Sequence, residues 1–329
     1  MVDTIRWGVF ATGGIAATFT EDLRLLPNTH ISAVGSRSVE SARAFADRYG
    51  VPSAYGSVDE LAAAEDVDIV YVANTPNGHH DAAATLLKAG KPVLCEKPFT
   101  LNHGQAQSLV DIAEKSGVFL MEAMWMSCNP AIVRMREVVR AGAIGAVSMV
   151  SADFWLPGSF GADHRLRDPE RGGGALLDLG VYPITLAYNV LGMPSVINAI
   201  GTLTPEGVDA SCAMTFGYDS GAVATLSCGL GADSPVSAVI AGDKARIELP
   251  NPFFCPDRFH LCRKGSKPQS FHAPFTGKGM THEAAEAMRC LRSGLLESPL
   301  VPWRASLDVM TIMDEVRERI GVRYPIEVG

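Results

Sequence analysis

Residues Ile5–Ala16 form the stretch IRWGVFATGGIA, in which an apolar run enters a glycine-rich turn and then a segment with helical spacing. This order matches the dinucleotide-binding fingerprint G-x-G-x-x-G/A, with Ala11, Gly13 and Ala16 at its three fixed positions. Gly13 would let the backbone approach a pyrophosphate, and Ala16 would let strand and helix pack closely. Because Ala11 replaces the first glycine, an ordinary glycine-rich turn is the alternative. The stretch predicts a first βα unit with a candidate dinucleotide site at its turn.

Strand-like and helix-like segments alternate after this unit. The apolar strands are continuous, which is typical of a parallel sheet covered by helices on both faces. We therefore expect Rossmann-type winding. The predicted strands are Ile5–Phe10, Ile31–Gly35, Asp68–Val72, Pro92–Cys95 and Val118–Met121. The predicted helices are Ile15–Leu26, Ser41–Tyr49 with Gly50 as its cap, His80–Ala89 and Gly104–Lys115.

The pattern changes after about residue 145, where short runs separated by turn residues replace the alternation. In Ala210–Gly217 every even-numbered residue is apolar, which predicts a strand with one buried face. Such runs indicate an antiparallel sheet with one covered face. We expect a domain boundary between residues 123 and 145. The runs are Val147–Phe154, Val196–Thr202, Ala210–Gly217, Ala222–Cys228, Val236–Ile240 and Ala245–Leu249, and helices are predicted near Met280–Leu296 and Ala305–Ile320.

The composition excludes several classes of protein. At roughly 150 residues per domain, 329 residues predict about two domains. An apolar share of 47% excludes a disordered chain, and a net charge of -8 disfavours nucleic acid as a partner. Seven cysteines without a CxxC pair fit a reduced, cytoplasmic protein better than a disulfide scaffold.

Three local features bear on metal binding, membrane insertion and secretion. Cys255, His260 and Cys262 lack a fourth ligand at zinc-finger spacing, so no metal is expected. Residues 179–205 carry no charge and are long enough to span a bilayer, but internal prolines and glycines favour a buried helix, a turn and a buried strand. The first residues lack a basic segment before an apolar core, so neither a signal peptide nor a membrane partner is expected.

The end of the second predicted strand bears on the choice of dinucleotide. Sites that prefer NAD place Asp or Glu here to hold the ribose 2′-hydroxyl. This chain has Ser36 and Arg37, which could hydrogen-bond and pair with a 2′-phosphate. The alternative is a solvated Arg37 followed by Ser38 as a helix cap. We expect NADP(H) rather than NAD.

A lysine follows the predicted strand Pro92–Cys95, in the motif Glu96-Lys97-Pro98. Ligands of doubly wound sheets bind at the carboxyl ends of the strands, so Lys97 could lie beside a nicotinamide. A lysine held in a cleft can donate hydrogen bonds or lower the pKa of a neighbour. A surface lysine after a strand is the alternative.

The stretch Gly172–Pro183, GGGALLDLGVYP, places two polar side chains in an apolar segment. If the segment is helical, Asp178 and Tyr182 share a face. Tyr182 could act as an acid or base, and Asp178 could orient substrate hydroxyls. Alternatively Asp178 is a helix cap and Tyr182 is a core aromatic.

These motifs occur in an order that resembles one known family. The ordered set resembles the glucose–fructose oxidoreductase/inositol dehydrogenase (Gfo/Idh/MocA) family, and within it the branch of dimeric dihydrodiol and NADP-dependent D-xylose dehydrogenases. The resemblance covers nearly the whole chain. The motifs are the turn at residues 11–16, Glu96–Pro98, Met121–Trp125, Asp178-x-Gly180-x-Tyr182, Ala54–Ser57, Asn251–Pro256, Gly279-Met280 and Glu297–Pro299.

The resemblance implies a Rossmann domain in residues 1–124 and a substrate and dimerisation domain in residues 125–329, built on a large, mostly antiparallel open sheet whose exposed face forms a homodimer. It implies that Lys97 and Tyr182 form the catalytic pair and that Asp178 is the acid of the substrate site. The expected substrate residues are Trp125, Phe154, Asp178, Tyr182 and Phe254. The expected cofactor residues are Ala11, Thr12, Gly13, Gly14, Ile15, Ser36, Arg37, Asn74, Pro76, Asn77, His80, Glu96 and Lys97.

Some positions depart from the branch. Phe254 replaces a tryptophan, Ser127 replaces an arginine, and Asn77 and Gly78 also differ. The expected activity is NADP-dependent hydride transfer to or from a CH–OH group of a sugar, polyol or cyclic diol. A hydrolase or lyase that uses bound nicotinamide transiently, and a non-catalytic NADP-binding protein, are the alternatives.

Overall fold

The first sheet is parallel throughout. The computed structural model describes residues 4–327. The strands are β1 (Ile5–Phe10), β2 (Thr29–Gly35), β3 (Ser53–Tyr55), β4 (Ile69–Val72), β5 (Val93–Glu96) and β6 (Leu120–Ala123). They lie in the order β3-β2-β1-β4-β5-β6, and every neighbouring pair is parallel. The chain winds outward in both directions from β1 and β4, which is where doubly wound sheets bind dinucleotides.

Local sequence explains where the helices of this region begin and end. The helices are α1 (Gly14–Leu23), α2 (Val39–Tyr49), α3 (Val58–Ala62), α4 (His79–Lys88), α5 (His103–Ser116) and α6 (Trp125–Cys128). The side chains of Ser38, Ser57 and Asn102 accept backbone N–H groups at the starts of α2, α3 and α5. Gly50 ends α2 with φ of +60°, as predicted, and Gly117 ends α5 with φ of +64°.

The second sheet is mixed but mostly antiparallel. Its strands are β7 (Val147–Leu156), β8 (Val196–Leu203), β9 (Asp209–Gly217), β10 (Val223–Leu230), β11 (Ala238–Gly242), β12 (Arg246–Leu249), β13 (Arg258–Cys262) and β14 (Gln269–His272). Their order is β14-β13-β12-β11-β7-β10-β9-β8, and only β7 and β10 pair in parallel. The nearby helices are α7 (Pro130–Arg140) and α8 (Val181–Leu191), and α8 packs on β7 and β10. The predicted α/β fold with two sheets is confirmed.

The chain divides into two compact units. The first comprises the described part of Met1–Cys128 with Phe275–Leu307, and the second comprises Asn129–Pro274 with the described part of Asp308–Gly329. The last two helices are α9 (Thr281–Arg292) and α10 (Trp303–Ile320). Residues 275–307 join the parallel sheet because Asp22 accepts the N–H groups of Lys278 and Met280, at 2.8 and 2.9 Å, and the Trp303 indole donates to the Leu120 carbonyl at 2.8 Å. The predicted functional division at residue 124 differs from these units and stays a prediction.

Short elements escaped the sequence prediction. Strand β3 has three residues, all half-buried, so it shows no hydrophobic periodicity. Strand β14 is mostly exposed, whereas the five-residue β13 buries Phe259, Leu261 and Cys262. The apolar repeats that predict a strand or helix need a buried face, which β3 and β14 lack, and in β13 the repeat is only five residues long.

Three of the local expectations can be compared with the described residues. Among residues 4–327 one segment, Pro169–Leu191, is long and apolar enough to cross a membrane, and 72% of its most apolar 18-residue window is buried inside the protein. All seven cysteines are buried, and within residues 4–327 none of them forms a disulfide. Residues 4–327 contain no group of three or more His, Cys, Asp or Glu side chains that could hold a metal ion.

Candidate active site

The turn between β1 and α1 leaves the start of a helix open. Gly13 is the N-cap of α1 without a side-chain cap, and the first turn has no acidic residue. A Cβ added to Gly13 or Gly14 would meet nothing within 4 Å, so the backbone is accessible. Ala16 is fully buried, as close packing of helix and strand requires. Uncapped N–H groups at the positive end of a helix form an anion site.

Ala11 adopts the backbone conformation that the fingerprint normally assigns to glycine. Its φ is +103°, and its N–H donates to the Gly35 carbonyl at 2.8 Å. An L-residue rarely occupies this region because its Cβ crowds the backbone. The alanine therefore preserves the glycine geometry of the turn at a cost in strain.

The next strand end presents a free guanidinium. The Ser36 N–H donates to the Tyr55 carbonyl at 3.1 Å. Ser38 caps α2 by accepting the Ser41 N–H at 3.2 Å, as the alternative interpretation of this segment expects. Arg37 is exposed, and within residues 4–327 its side chain has no hydrogen bond or ion pair. A solvated arginine with no internal partner is available to an anionic ligand.

The loop after β4 contains an unpaired acceptor. Asn74 Oδ1 is buried and finds no hydrogen-bond partner among the described residues. Pro76–Gly78 form one 3-10 turn, in which the Thr75 hydroxyl donates to Asn77 Oδ1 at 2.6 Å. A buried acceptor without a partner is costly unless a water or ligand satisfies it.

Two adjacent histidines have different surroundings. The predicted cofactor residue His80 lies with its ring nitrogens 2.9 Å from Asp81 Oδ1 and 3.1 Å from Ser108 Oγ. The His79 ring is buried, with its nitrogens 2.9 Å from the Pro98 carbonyl oxygen and 3.0 Å from the Asn74 carbonyl oxygen. His79 thus joins the loop after β4 to the loop after β5. Burial lowers the pKa of His79, which favours the neutral ring.

Lys97 follows a glutamate that is fixed from two sides. The Glu96 carboxyl accepts the Tyr71 hydroxyl at 2.5 Å and the Lys97 backbone N–H at 3.0 Å. Glu96 is 5% exposed, and burial together with this carboxylate raises the pKa of Tyr71 well above its usual value. The Tyr71 phenol therefore stays protonated as a donor. These bonds fix the backbone on which Lys97 is displayed.

Two more buried carboxyls surround Glu96. Glu122 accepts the Ser306 hydroxyl at 2.5 Å, and burial raises its pKa to about 7. Glu283 is fully buried, and neither of its oxygens has a hydrogen-bond partner among the described residues. Burial and the neighbouring Glu96 raise the pKa of Glu283 well above its usual value. We call Glu96, Glu122 and Glu283 the buried carboxyl cluster; like charges so close cannot all be ionised.

In the second unit, the segment that bears Asp178 and Tyr182 begins with a wide turn. Leu176–Gly180 form one turn of π-helix, and α8 follows from Val181. The prediction that Asp178 and Tyr182 share a face assumes α-helical spacing. The π turn adds about one residue to the helical turn, so this spacing does not hold there. Such turns are frequent at functional sites.

A buried aspartate and a glycine hold this turn. Asp209 Oδ2 accepts the Leu176 N–H at 2.6 Å and is fully buried. Gly174 has φ of +113°, and a Cβ there would lie 2.2 Å from Asp209 Oδ1. Burial raises the pKa of Asp209 to about 7. Gly174, the last of the three glycines in the sequence, is therefore needed to bring the backbone against Asp209.

Asp178 is paired with an arginine from a neighbouring turn. Arg165 donates from Nη2 to Asp178 Oδ2 at 3.0 Å and from Nη1 to Oδ1 at 3.3 Å. The Asp178 side chain is 14% exposed, whereas that of Arg165 is 49% exposed. The alternative role of Asp178 as an N-terminal cap is not seen, because Asp209 serves the start of this turn.

Three of the predicted pocket aromatics form one cluster. The Tyr182 ring centroid lies 5.7 Å from that of Phe154 and 4.9 Å from that of Phe254. The Phe154 and Phe254 rings stack at 4.6 Å. Tyr182 is 4% exposed. Trp125 begins α6 and belongs to the first unit, so it is described apart from this cluster.

Sequence reasoning missed His79, Glu283 and Arg165. The buried residues of α4 recur with helical spacing from His79, which could have placed His79 rather than His80 on the inner face. Glu283 likewise lies among the apolar positions of α9. Nothing in the sequence signals that Arg165 pairs with Asp178, because the contact joins separate turns.

Two family models match this chain. The GFO_IDH_MocA model, an oxidoreductase family with an NAD-binding Rossmann fold, matches residues 5–124. The GFO/IDH/MocA C-terminal domain matches residues 132–248. The chain belongs to the GFO/IDH/MocA oxidoreductase family. The first match contains Lys97, and the second contains Asp178 and Tyr182, whereas Phe254 lies beyond it.

Named members of the GFO/IDH/MocA family are similar over the full length. The chain is 36% identical to trans-1,2-dihydrobenzene-1,2-diol dehydrogenase of Xenopus laevis, over 97% of this chain and 99% of that protein. It is 35% identical to D-xylose 1-dehydrogenase (NADP(+)) of Hypocrea jecorina, over 98% and 93%. The structure of KijD10, a 3-ketoreductase from Actinomadura kijaniata in complex with NADP and TDP-benzene, superposes with a TM-score of 0.84 at 28% identity, over 97% and 98%.

Proposed function

We propose that this GFO/IDH/MocA protein is an NADP(H)-dependent dehydrogenase that transfers a hydride to or from a CH–OH group of a sugar, polyol or cyclic diol. The main support is full-length similarity to enzymes named for these activities, including 35% identity to an NADP-dependent D-xylose dehydrogenase. The chain has both Lys97 and Tyr182. Cofactor binding alone would need neither side chain.

The residues of the first unit fit a phosphorylated dinucleotide. The open start of α1, with Thr12, Gly13, Gly14 and Ile15, would hold the pyrophosphate. Ser36 and the unpaired Arg37 would hold the 2′-phosphate, and the unpaired Asn74 Oδ1 would accept from a cofactor hydroxyl or amide. Pro76, Asn77, His80 and Glu96 are further proposed contacts. When bound, the nicotinamide supplies the two-electron chemistry.

The proposed chemistry then depends on three side chains. In the oxidative direction the Tyr182 phenolate, stabilised by the Lys97 ammonium, accepts the proton of the substrate hydroxyl and becomes the neutral phenol. Asp178 holds a neighbouring hydroxyl, while Phe154 and Phe254 provide the apolar wall beside the Tyr182 ring. The Tyr71 and Lys97 N–H bonds to Glu96 support this arrangement by fixing the backbone of Lys97. Trp125 is a further proposed pocket residue.

The function is tested by a spectrophotometric screen of NADP reduction across aldoses, polyols and diols, with wild type and Tyr182→Phe. We expect Tyr182→Phe to lower kcat about 10²–10⁴-fold and to leave NADPH binding unchanged. The matched control is Tyr188→Phe on the same helix, whose hydroxyl donates to Asp308 at 2.8 Å. Turnover at the wild-type level in Tyr182→Phe would assign the proton to another group. Product formed without net NADP reduction would instead indicate transient redox chemistry.

The preference for NADP is tested at Arg37. Because its guanidinium is exposed and has no internal partner, Arg37→Ala should raise the KM for NADP far more than the KM for NAD. Arg134→Ala, which removes an exposed arginine paired with Glu137, is the control. An unchanged ratio of the two KM values would place phosphate recognition elsewhere.

We also propose a homodimer through the open face of the second sheet. Met149, Val223 and Val196 lie in one cross-strand row on this face and are 38%, 41% and 53% exposed. Ile200 lies four residues after Val196 on β8, on the same face, and is 76% exposed. Apolar exposure of this extent on one face marks an association surface. Light scattering should give a dimer for wild type and a monomer for Ile200→Asp; a monomeric wild type would reject it.

A cytoplasmic location is proposed from the cysteines. All seven are buried thiols that form no disulfide within the described residues, which fits a reducing compartment. Cell fractionation with an antibody to the native protein tests this.

A further inference from the structure

The turn that carries Arg165 is fixed by the contacts of the two residues that follow it. Leu166 is 2% exposed, and its carbonyl accepts the Gly174 N–H at 2.8 Å. Arg167 donates to both carboxylate oxygens of Glu206 at 2.7–2.9 Å and to the Phe160 carbonyl at 3.0 Å. The position of Arg165 on Asp178 therefore follows from a fixed backbone rather than from a free surface loop.

The Arg165 guanidinium is only partly used by this pair. A guanidinium has five N–H donors, and the two bonds to Asp178 use one on each Nη. Within residues 4–327 the remaining Arg165 donors have no acceptor, and half of the side chain is exposed. The donors are thus available to a ligand that reaches Asp178.

The charge of the pair limits the kind of ligand. Asp178 compensates the charge of Arg165, so the pair offers donors without a net positive charge. A neutral oxygen, such as a hydroxyl or ether, suits such donors, and a bidentate fork orients them in a plane. A substrate that lacks this oxygen would leave the Arg165 donors unsatisfied. The site therefore disfavours such a substrate.

We propose that Arg165 is a substrate-binding residue that recognises a second oxygen beside the reacting CH–OH group, so that the site selects vicinal diols and polyols over simple alcohols. This inference rests on the proposed function, since it takes Asp178 to hold the neighbouring hydroxyl. Arg165 takes no part in proton or hydride transfer; it contributes to the difference in affinity between a diol and an alcohol.

The experiment compares trans-1,2-cyclohexanediol with cyclohexanol in wild type, Arg165→Gln, Arg165→Lys and Arg171→Gln. Arg171 is the matched control, because it lies on the same loop and pairs with Asp168 at 3.0 Å. Loss of a charged hydrogen bond should lower the ratio of kcat/KM for diol over alcohol about 10- to 100-fold in Arg165→Gln. The loss should appear in KM for the diol, with Arg165→Lys intermediate and Arg171→Gln at the wild-type ratio.

An equal loss of kcat/KM for both compounds would show that Arg165 only supports the fold, and wild-type kcat/KM for both compounds would show that it does not contact substrate. Either result overturns the inference. If wild type oxidises neither compound although NADP binds, the proposed function fails, and calorimetric binding of the diol tests Arg165 independently. Binding lost in Arg165→Gln and kept in Arg171→Gln supports the inference; equal binding by both variants, or none by wild type, overturns it.

Discussion

The two sheets of this protein differ in what covers them. Four strands of the parallel sheet, β1, β4, β5 and β6, are buried at nearly every residue. In the antiparallel sheet burial alternates, so β9 and β10 have one buried and one accessible face. A parallel sheet gains helices on both faces from its crossovers, whereas antiparallel neighbours joined by short turns leave a face uncovered.

This difference teaches where each sheet can support function. The parallel sheet offers only the edge where its strands end, and there the open start of α1, Arg37 and Lys97 are displayed. The antiparallel sheet uses its covered face to hold the Asp178 turn through Asp209. Its other face is free for association.

The largest expected effect compares a buried residue of the parallel sheet with an exposed residue of the antiparallel sheet. Leu94→Ala in β5 removes a fully buried side chain and should cost about 2–5 kcal/mol of unfolding free energy. Ile200→Ala in β8, at 76% exposure, should change it by less than about 0.5 kcal/mol in a monomer. Urea denaturation at low protein concentration measures both. A similar cost for the two would mean that the accessible face is covered in solution.

The next effect concerns how the antiparallel sheet holds the Asp178 turn. Gly174→Ala should cost about 2–3 kcal/mol, because it combines a strained φ with a clash against Asp209 Oδ1. Gly221→Ala is the control for φ alone: its φ is +83° and its Cβ would meet nothing within 4 Å. Thermal unfolding of the two variants separates the cost of the positive φ from the cost of the clash with Asp209. Equal losses would show that close approach to Asp209 is unimportant.

At the parallel sheet, the buried carboxyl cluster predicts a pH dependence. Below the unfolded pKa of about 4.5, Glu283 is neutral in both states; as pH rises, the unfolded chain releases its proton while burial retains it in the folded state. Stability contributed by the neutral carboxyl is therefore lost as pH rises. Glu283→Gln should match wild type at pH 4 and exceed it at pH 8, on the order of 1–3 kcal/mol.

The control for this prediction has the opposite sign. Arg289 and Ser298 hold the pKa of Glu286 below its usual value, against burial that raises it. The stability that ionised Glu286 contributes is present above the pKa of this carboxyl in the unfolded chain and is lost as pH falls. Glu286→Gln should therefore lose stability at pH 8. If Glu283→Gln behaves in the same way, Glu283 is ionised in the folded protein.

The smallest effect is at the end of β1. Ala11→Gly should stabilise the protein by about 1 kcal/mol, because relief of strain at φ of +103° exceeds the entropy that glycine adds to the unfolded chain. Thermal unfolding without ligand measures it. Destabilisation would mean that the alanine methyl group makes a favourable contact that outweighs the strain.

The sequence by itself determined most of the elements and the kind of protein. Ile5–Ala16 predicted a βα unit because its signals are local: an apolar run, glycines at fixed spacing and a helix start. The caps at Ser38 and Gly50 are local in the same way. The ordered motifs also predicted the family, since Lys97 and Tyr182 each lie in a short sequence motif that is visible without a structure.

Only the tertiary structure decided how distant segments meet. Glu283 is neutralised beside Glu96 because α9 returns to the parallel sheet, Asp209 reaches the Asp178 turn from a strand 33 residues away, and Arg165 covers Asp178 from another turn. Burial, charge compensation and hydrogen-bond pairing depend on distances between segments far apart in sequence. No local periodicity encodes those distances, so these features follow from the packed chain alone.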